Sequence, residues 1–410
     1  MRILYIMSSF PYPPHGGGPL RVMGLLEGAA QAGHELHILT FGSERQAQHL
    51  GPLQAFCQQV EVVPLPERST TQRLQTLLLT SKADMEERTW SPDFLSALEG
   101  VLTTTPFDVI QFQSLEMGVY LPHVRRLQPR AKLIYDAYNA ESELQRMVYE
   151  NDRARLTTLP KATYSFMQWS RLMRFETSLC EASDAVLAVS EQDQLLLRRL
   201  NHQTPVYLVN NGIDVAAYAI KPDEINLQMR QPSLVFTGTM DYRPNVDAAV
   251  WFAEEILPDL EDVTFYIVGN KPTSRIQELA ENNPQIVVTG FVEDILPYLH
   301  QASVFVVPLR VGSGTRLKLL QAMAAGCAIV STHVGALGLD VTHGREMLLA
   351  DSPTHFVEAV ELLLRDRFRW LDLSDQARQF VQQRFDWQVI WPRLWQAYEE
   401  VLAAPSAHSQ

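Results

Sequence analysis

The 410-residue sequence has few cysteines: Cys57, Cys180 and Cys327, far apart and each in an apolar context. That spacing excludes a disulfide framework and every clustered zinc pattern, and it fits a reducing compartment. No apolar run approaches the roughly 20 residues that a membrane-spanning helix needs. The N-terminal run "RILYIM" is too short for a signal peptide and no cleavage pattern follows it. Positive charge is scarce: 34 Lys and Arg stand against 47 Asp and Glu, a net charge of −13. A general nucleic-acid binder needs a basic surface, so that class is excluded. What is there is the composition of a globular protein, 46% apolar and 20% charged. A cytoplasmic location is expected.

Along the chain, short apolar runs alternate with helical patterns. "RILYIMS", "HELHILTFG", "QVEVVPL", "FDVIQFQ", "KLIYDAY" and "DAVLAVS" read as strands, and a long helical stretch occupies 161–182. Strands alternating with helices predict a parallel, doubly wound sheet. The pattern restarts near residue 205. "PVYLVNNGID" ends a strand in an Asn-Gly turn, and "DVAAYAIKPDEINLQMRQP" reads as a linker. Then "SLVFTGTM", "VTFYIVG", "QIVVTGF", "ASVFVVPL" and "CAIVSTHV" supply a second strand series. The length also suits two cores better than one. The expected domains are 1–205 and 206–385, with a C-terminal helix, about 386–410, packing back on the first.

The stretch "PLRVGSGTRLKLLQAMAAG", 308–326, sets Gly-Ser-Gly-Thr between an apolar strand and an amphipathic helix. The first N–H groups of a helix have no partner inside it. With the positive end of the helix dipole they attract an anion, most commonly phosphate. A tight turn of an ordinary α/β protein fits the same residues. A second glycine-rich loop, 9–19, also follows a strand. Loops at the carboxyl ends of open sheets are where α/β proteins bind ligands, so both are expected to face one cleft.

With these pieces in order, the sequence resembles the retaining glycosyltransferases of family 4. "PLRVGSGTRLKLLQAMAAGCAIVSTHVGALGL" is similar to their donor-site signature and "PPHGGGPLRVMGLLEGAAQAGHELHILT" to their N-terminal glycine loop. "LIYDAYNAESEL", "VYLVNNGIDVAAY", "FTGTMDYRPNVDAAVWF", "FYIVGNKP" and "VTGFVEDILPYLHQASVFVVPL" fall in the family's order. The resemblance implies an α/β protein of GT-B fold, two Rossmann-like doubly wound domains facing across a cleft. It implies transfer of a sugar from a nucleotide-sugar to a carbohydrate or lipid-linked acceptor, without a metal or other cofactor, in surface polysaccharide assembly.

Position by position, the resemblance implies that Gly314, Thr315 and Arg316 hold the donor diphosphate, with Lys318 facing the same phosphates, and that Ser313 belongs to the donor site near the sugar. A solvated helix residue is the plain reading of Lys318. Cations in a water-poor site stabilise the charge that develops on the leaving diphosphate. Gly16, Gly17 and Gly18 allow close backbone approach to the donor phosphate or the acceptor sugar, and Gly238 belongs to the donor site. Gly290, Phe291 and Val292 are expected at the base. His15 and Tyr138 fall on the acceptor or sugar side.

Several positions depart from the family pattern. Ser313 and Gln321 replace two glutamates. Gln321 keeps a carbonyl acceptor for the ribose but loses the carboxylate. Thr239 stands where an arginine is usual, and Arg243 is the nearest cation to an expected lysine; it also reads as a surface arginine before a helix-initiating Pro244. Tyr138 replaces a histidine. These departures keep two alternatives open: a catalytically degenerate binding protein, and a nucleotide-sugar epimerase or hydrolase of the same fold. Two further readings fail. "HGGG" needs a Gly-x-Ser-x-Gly elbow to make a lipase-like site, and the chain has none. "GSGTRL" lacks the third glycine of a dinucleotide fingerprint. Segment 153–174 interleaves cations with Tyr164, Phe166, Met167, Trp169, Leu172 and Met173. It reads first as an amphipathic helix under the N-terminal sheet and second as a peripheral contact with the inner face of a membrane.

Overall fold

The computed structural model describes residues 1–14, 16–69, 76, 79–153, 159–220, 227–312 and 316–405. The chain forms two compact units, Met1–Asn210 with Trp391–Gln410, and Asn211–Ile390.

The first unit holds β1 (Arg2–Met7), β2 (Glu35–Phe41), β3 (Gln59–Val63), β4 (Val109–Gln113), β5 (Lys132–Ala137), β6 (Ala185–Ala188) and β7 (Val206–Leu208). They are parallel, in the order β3-β2-β1-β4-β5-β6-β7. Helices cover both faces of such a sheet, which is why its central strands read as continuous apolar runs rather than alternating ones. The chain works outward from β1 to β3, then returns to β4 and works outward the other way. The switch between β1 and β4 opens a crevice at their carboxyl ends, where Met7 lies opposite Gln113.

The second unit repeats the plan. It holds β8 (Ser233–Thr237), β9 (Thr264–Val268), β10 (Ile286–Gly290), β11 (Val304–Val307), β12 (Ile329–Ser331) and β13 (Leu348–Leu349). Their order is β10-β9-β8-β11-β12-β13, again parallel, with the switch between β8 and β11. Phe236, Phe252, Phe265 and Phe356 anchor its core.

The helices that position functional groups are α1 (Gly17–Gln31), α2 (Glu141–Arg153), α3 (Leu159–Ala182), α4 (Val215–Ala219), α5 (Arg243–Trp251), α6 (Leu317–Ala324) and α7 (Trp387–Ala403). The stretch read as a linker begins with a turn of helix, α4, capped by Asp214, whose side chain accepts from the Ala217 N–H. Its pattern was too short to show periodicity. The last helix, α7, begins in the second unit and ends in the first. Its Trp391 lies against Gly28 of α1, where any Cβ would collide with the indole, and donates to the Gly24 carbonyl at 2.8 Å.

A buried ion pair fixes α1 to its sheet. The Arg21 guanidinium forks onto Asp136 of β5, at 2.6 Å and 3.0 Å, and donates to the carbonyls of Val209 and Asn210. Both residues are almost wholly buried. In that setting the remaining partner of a broken pair is left as an uncompensated charge. Helix α3 buries Ala162, Ser165, Gln168, Leu172 and Glu176 along one face and leaves Tyr164, Phe166 and Met173 exposed. Among the described residues no helix is long and apolar enough to cross a membrane.

Candidate functional site

The strand-to-helix turn singled out in the sequence follows β11 at the switch point of the second sheet. Ser313, Gly314 and Thr315 lie outside the described residues. Helix α6 begins after them with Arg316 as its N-cap and no capping side chain. Leu319, Leu320, Met323 and Ala324 are buried. That apolar stripe turns Lys318 and Gln321, three residues apart, to a common side of the helix.

Lys318 reaches across to the end of β8. Its Nζ donates to Asn245 Oδ1 at 2.8 Å and lies 4.3 Å from the centroid of the Phe236 ring. Asn245 sits in the first turn of α5, and its own amide donates to the Thr239 carbonyl at 3.0 Å. The amide is thereby oriented with its oxygen toward the ammonium. Gly238 completes the enclosure: a Cβ there would lie 2.6 Å from the Asn245 amide nitrogen and 2.9 Å from Lys318 Nζ. Gly269, after β9, packs so closely that a Cβ would run into the Gly238 carbonyl. Two glycines at adjacent strand ends are therefore demanded by one small space.

The electrostatics follow from this packing. Burial pushes the Lys318 ammonium down to about 7, and the nearby Arg316 guanidinium adds to the effect. Its contacts are an amide and a ring, and among the described residues it pairs with no carboxylate. Arg316 reaches back to Gly312, where a Cβ would meet the guanidinium. Two neighbouring cations, one partly desolvated and facing only neutral groups, form a site that an anion stabilises.

Gln321 donates from Nε2 to the Tyr218 hydroxyl of α4 at 2.7 Å. That leaves its carbonyl oxygen as the acceptor. Arg243 is exposed at the start of α5, two residues before Asn245. Gly290 ends β10 at φ 69°, with open space where a Cβ would stand. Phe291 beside it is 55% exposed, and Val292 packs partly against the core. Sequence reading missed Asn245 and Tyr218. The first was hidden in "YRPNVDA", where Pro244 drew attention to helix initiation. The second lay in the supposed linker.

In the first unit, Gly16 (φ 103°) is the N-cap of α1, and Gly17 and Gly18 open the helix. His15 lies outside the described residues. Tyr138, just past β5, has its ring against Gly18, where a Cβ would stand 3.1 Å from Cε2. Its hydroxyl donates to Gln113 Oε1 at 3.1 Å. The Glu141 carboxyl is pushed up to about 7 by burial, with Glu176 and Glu116 raising it further against the opposing Asn139 hydrogen bond. Glu176, buried in α3, accepts from the N–H groups of Glu141 and Ser142 at 2.9 Å each and so ties α3 to the start of α2.

Two parallel, doubly wound Rossmann-like units are the architecture of the GT-B class of α/β proteins. Residues 16–212 match the family described as "Glycosyl transferase 4-like domain", and residues 231–366 match "Glycosyl transferases group 1". A Klebsiella pneumoniae protein described as an uncharacterized 44.6 kDa protein in the cps region is 20% identical over 400 residues, covering 94% of this chain and 96% of that one. The alpha-maltose-1-phosphate synthase of Mycolicibacterium smegmatis is 27% identical over 56% of this chain and 66% of its own. Among solved structures, sucrose-phosphate synthase from Thermosynechococcus elongatus superposes with a TM-score of 0.74 at 19% identity, covering 99% and 100% of the two chains. Anabaena HepE in complex with UDP-glucose superposes with a TM-score of 0.68 at 14% identity, covering 98% and 100%. The chain belongs to the group 1, family 4 glycosyltransferases. Its activity is glycosyl transfer.

Proposed function

We propose that the protein is a retaining glycosyltransferase that moves a sugar from a nucleoside-diphosphate sugar to a carbohydrate or lipid-linked acceptor, without a divalent metal. The observation that supports this most is Lys318, an ammonium enclosed by Phe236, Asn245 and Gly238 with Arg316 beside it. A diphosphate supplies a negative partner for the Lys318 ammonium, which pairs with no carboxylate among the described residues. Similarity to HepE, crystallised with UDP and with UDP-glucose, supports a nucleotide-sugar donor.

In the proposed reaction the bond from the sugar's anomeric carbon to the diphosphate oxygen breaks, and its electron pair stays on that oxygen. Lys318 and Arg316 offset the charge formed there. The acceptor hydroxyl attacks from the face the diphosphate leaves, and its proton passes to a phosphate oxygen. The configuration at carbon is retained. Gln321, with its oxygen free of the Tyr218 bond, accepts from the ribose. A role in surface polysaccharide assembly rests on similarity to the cps-region protein. The exposed Tyr164, Phe166 and Met173 of α3 suit contact with a membrane that carries a lipid-linked acceptor.

A melting-temperature screen with UDP, GDP and ADP, followed by nucleotide-sugar turnover with and without acceptor, tests the reading. The expected result is stabilisation by one nucleoside diphosphate and a product with the donor's anomeric configuration. Nucleoside diphosphate release without any acceptor identifies a hydrolase instead, and inversion of the anomeric centre overturns the retaining mechanism. Vesicle co-sedimentation with a Phe166→Ser control tests the membrane contact, which unchanged sedimentation of that variant overturns.

A further inference from the structure

A second group of hydrogen-bond donors gathers at the carboxyl edge of the first sheet. Gln113 ends β4 at the switch point and is 1% exposed. Its Oε1 accepts from Tyr138, while its Nε2 is buried with no hydrogen-bond partner among the described residues. Buried amide groups are seldom left unmatched, because the lost hydration is not recovered. The amide is held in place. Tyr138 secures the oxygen end, and the Tyr138 ring is itself confined by Gly18 of α1.

The start of α1 lies against that ring. Gly16 caps it without a side chain, its first turn has no acidic residue, and Pro19 has no N–H. The N–H groups of Gly17 and Gly18 therefore have no acceptor inside the helix. Ser8 and Ser114, just beyond β1 and β4, bring their hydroxyls to 3.4 Å across the switch point. The donors are uncharged. Among the described residues the nearby cations Arg21 and Arg88 are matched by Asp136 and Glu116. Glu116 is neutralised by Arg88, and burial favours the protonated form of Glu141, so these described neighbours leave no net charge here. The atom that suits this place is a neutral oxygen with lone pairs to offer.

We infer that Gln113 is a specificity residue that reads a hydroxyl oxygen of the hexose handled by this enzyme, with the α1 amides as companion donors and Tyr138 as the positioning residue. The inference rests on the glycosyl-transfer reading above. The hydroxyl can belong to the donor sugar or to the acceptor sugar, and the test separates the two.

Full-length wild type and the Gln113→Met and Gln113→Glu variants are titrated calorimetrically with UDP, GDP and ADP, and with UDP-glucose, GDP-mannose and ADP-glucose. Nucleoside diphosphate affinity is expected to agree within twofold, since those groups are read in the second unit; that agreement also shows the variants are folded. If the hydroxyl is the donor's, the extra affinity of the nucleotide-sugar over its nucleotide falls about tenfold in both variants, about 1.4 kcal/mol. If it is the acceptor's, that increment stays. Saturation-transfer NMR with free glucose, galactose, mannose and N-acetylglucosamine, at saturating nucleoside diphosphate, then loses its signal in Gln113→Met. Nucleotide binding with neither effect overturns the role of Gln113 alone. A wild type that binds none of the nucleotides or nucleotide-sugars overturns the glycosyl-transfer reading and this inference together.

Discussion

Replacing Lys318 with methionine keeps most of the side-chain volume and removes the charge. In the free protein the ammonium is depressed from its ordinary value near 10.5 to about 7 by burial and by Arg316. The folded state therefore binds fewer protons than the unfolded state between those two values, and wild-type stability rises as pH rises through that window. Each unit is worth about 1.4 kcal/mol, so the folding penalty at pH 7 has a ceiling of about 5 kcal/mol. The side chain is only half-buried, and the Asn245 and Phe236 contacts offset part of the cost, so Lys318→Met is expected to stabilise the ligand-free protein by about 1–2 kcal/mol at pH 7. Nucleotide binding should move the other way. A charge-assisted hydrogen bond to a phosphate oxygen contributes about 1.5–3 kcal/mol, so the variant should bind the preferred nucleoside diphosphate about 10- to 100-fold more weakly at pH 7. The phosphate restores the proton to Lys318. Wild-type affinity should thus fall as pH rises from 7 to 8.5, by up to about tenfold per unit, while the variant stays flat. Calorimetry in HEPES and in Tris, whose ionisation enthalpies differ, reads the proton uptake directly. No proton uptake, together with variant affinity within threefold of wild type, would refute the anion site.

Gln321→Glu is expected to tighten the same nucleotide by about three- to tenfold, because the carboxylate accepts from the Tyr218 hydroxyl and still offers charged oxygen to the ribose; weaker binding by calorimetry would remove Gln321 from the ribose. Asp136→Ala strands the Arg21 guanidinium in the interior and should cost about 3–5 kcal/mol, read as a lowered urea midpoint of the first unit; a loss below 1 kcal/mol would mean the pair is better hydrated than its burial implies. Glu141 holds its proton more tightly folded than unfolded, so its contribution to stability falls as pH rises from about 4.5 to about 7. Glu141→Gln should flatten that part of the profile and raise stability at pH 8 by about 1–3 kcal/mol. Urea titrations at pH 5 and 8 check it, and equal gains at both values would contradict the assignment.

Local patterns determined a good deal. Strands buried on both faces must be apolar throughout, and helices packed on a sheet must be apolar along one stripe. Runs such as "RILYIM" and "ASVFVVPL" between amphipathic segments therefore announced two parallel α/β units, and the ordered motifs announced the family. The same logic located the turn before α6, a glycine-rich break between an apolar strand and an amphipathic helix, a pattern that an ordinary tight turn shares. Side-chain partners are another matter, because they depend on contacts far apart in sequence. Nothing near Lys318 in the chain shows that its ammonium faces an amide 73 residues away rather than a carboxylate, and that choice is what lowers its proton affinity. Tyr218 sits in a five-residue helix too short for any periodicity, and joins the site only because α4 packs beside α6. Gln113 looked like one more polar residue in a strand. Only the tertiary structure, by giving its oxygen to Tyr138 and its nitrogen no partner among the described residues, made it a donor in search of a ligand.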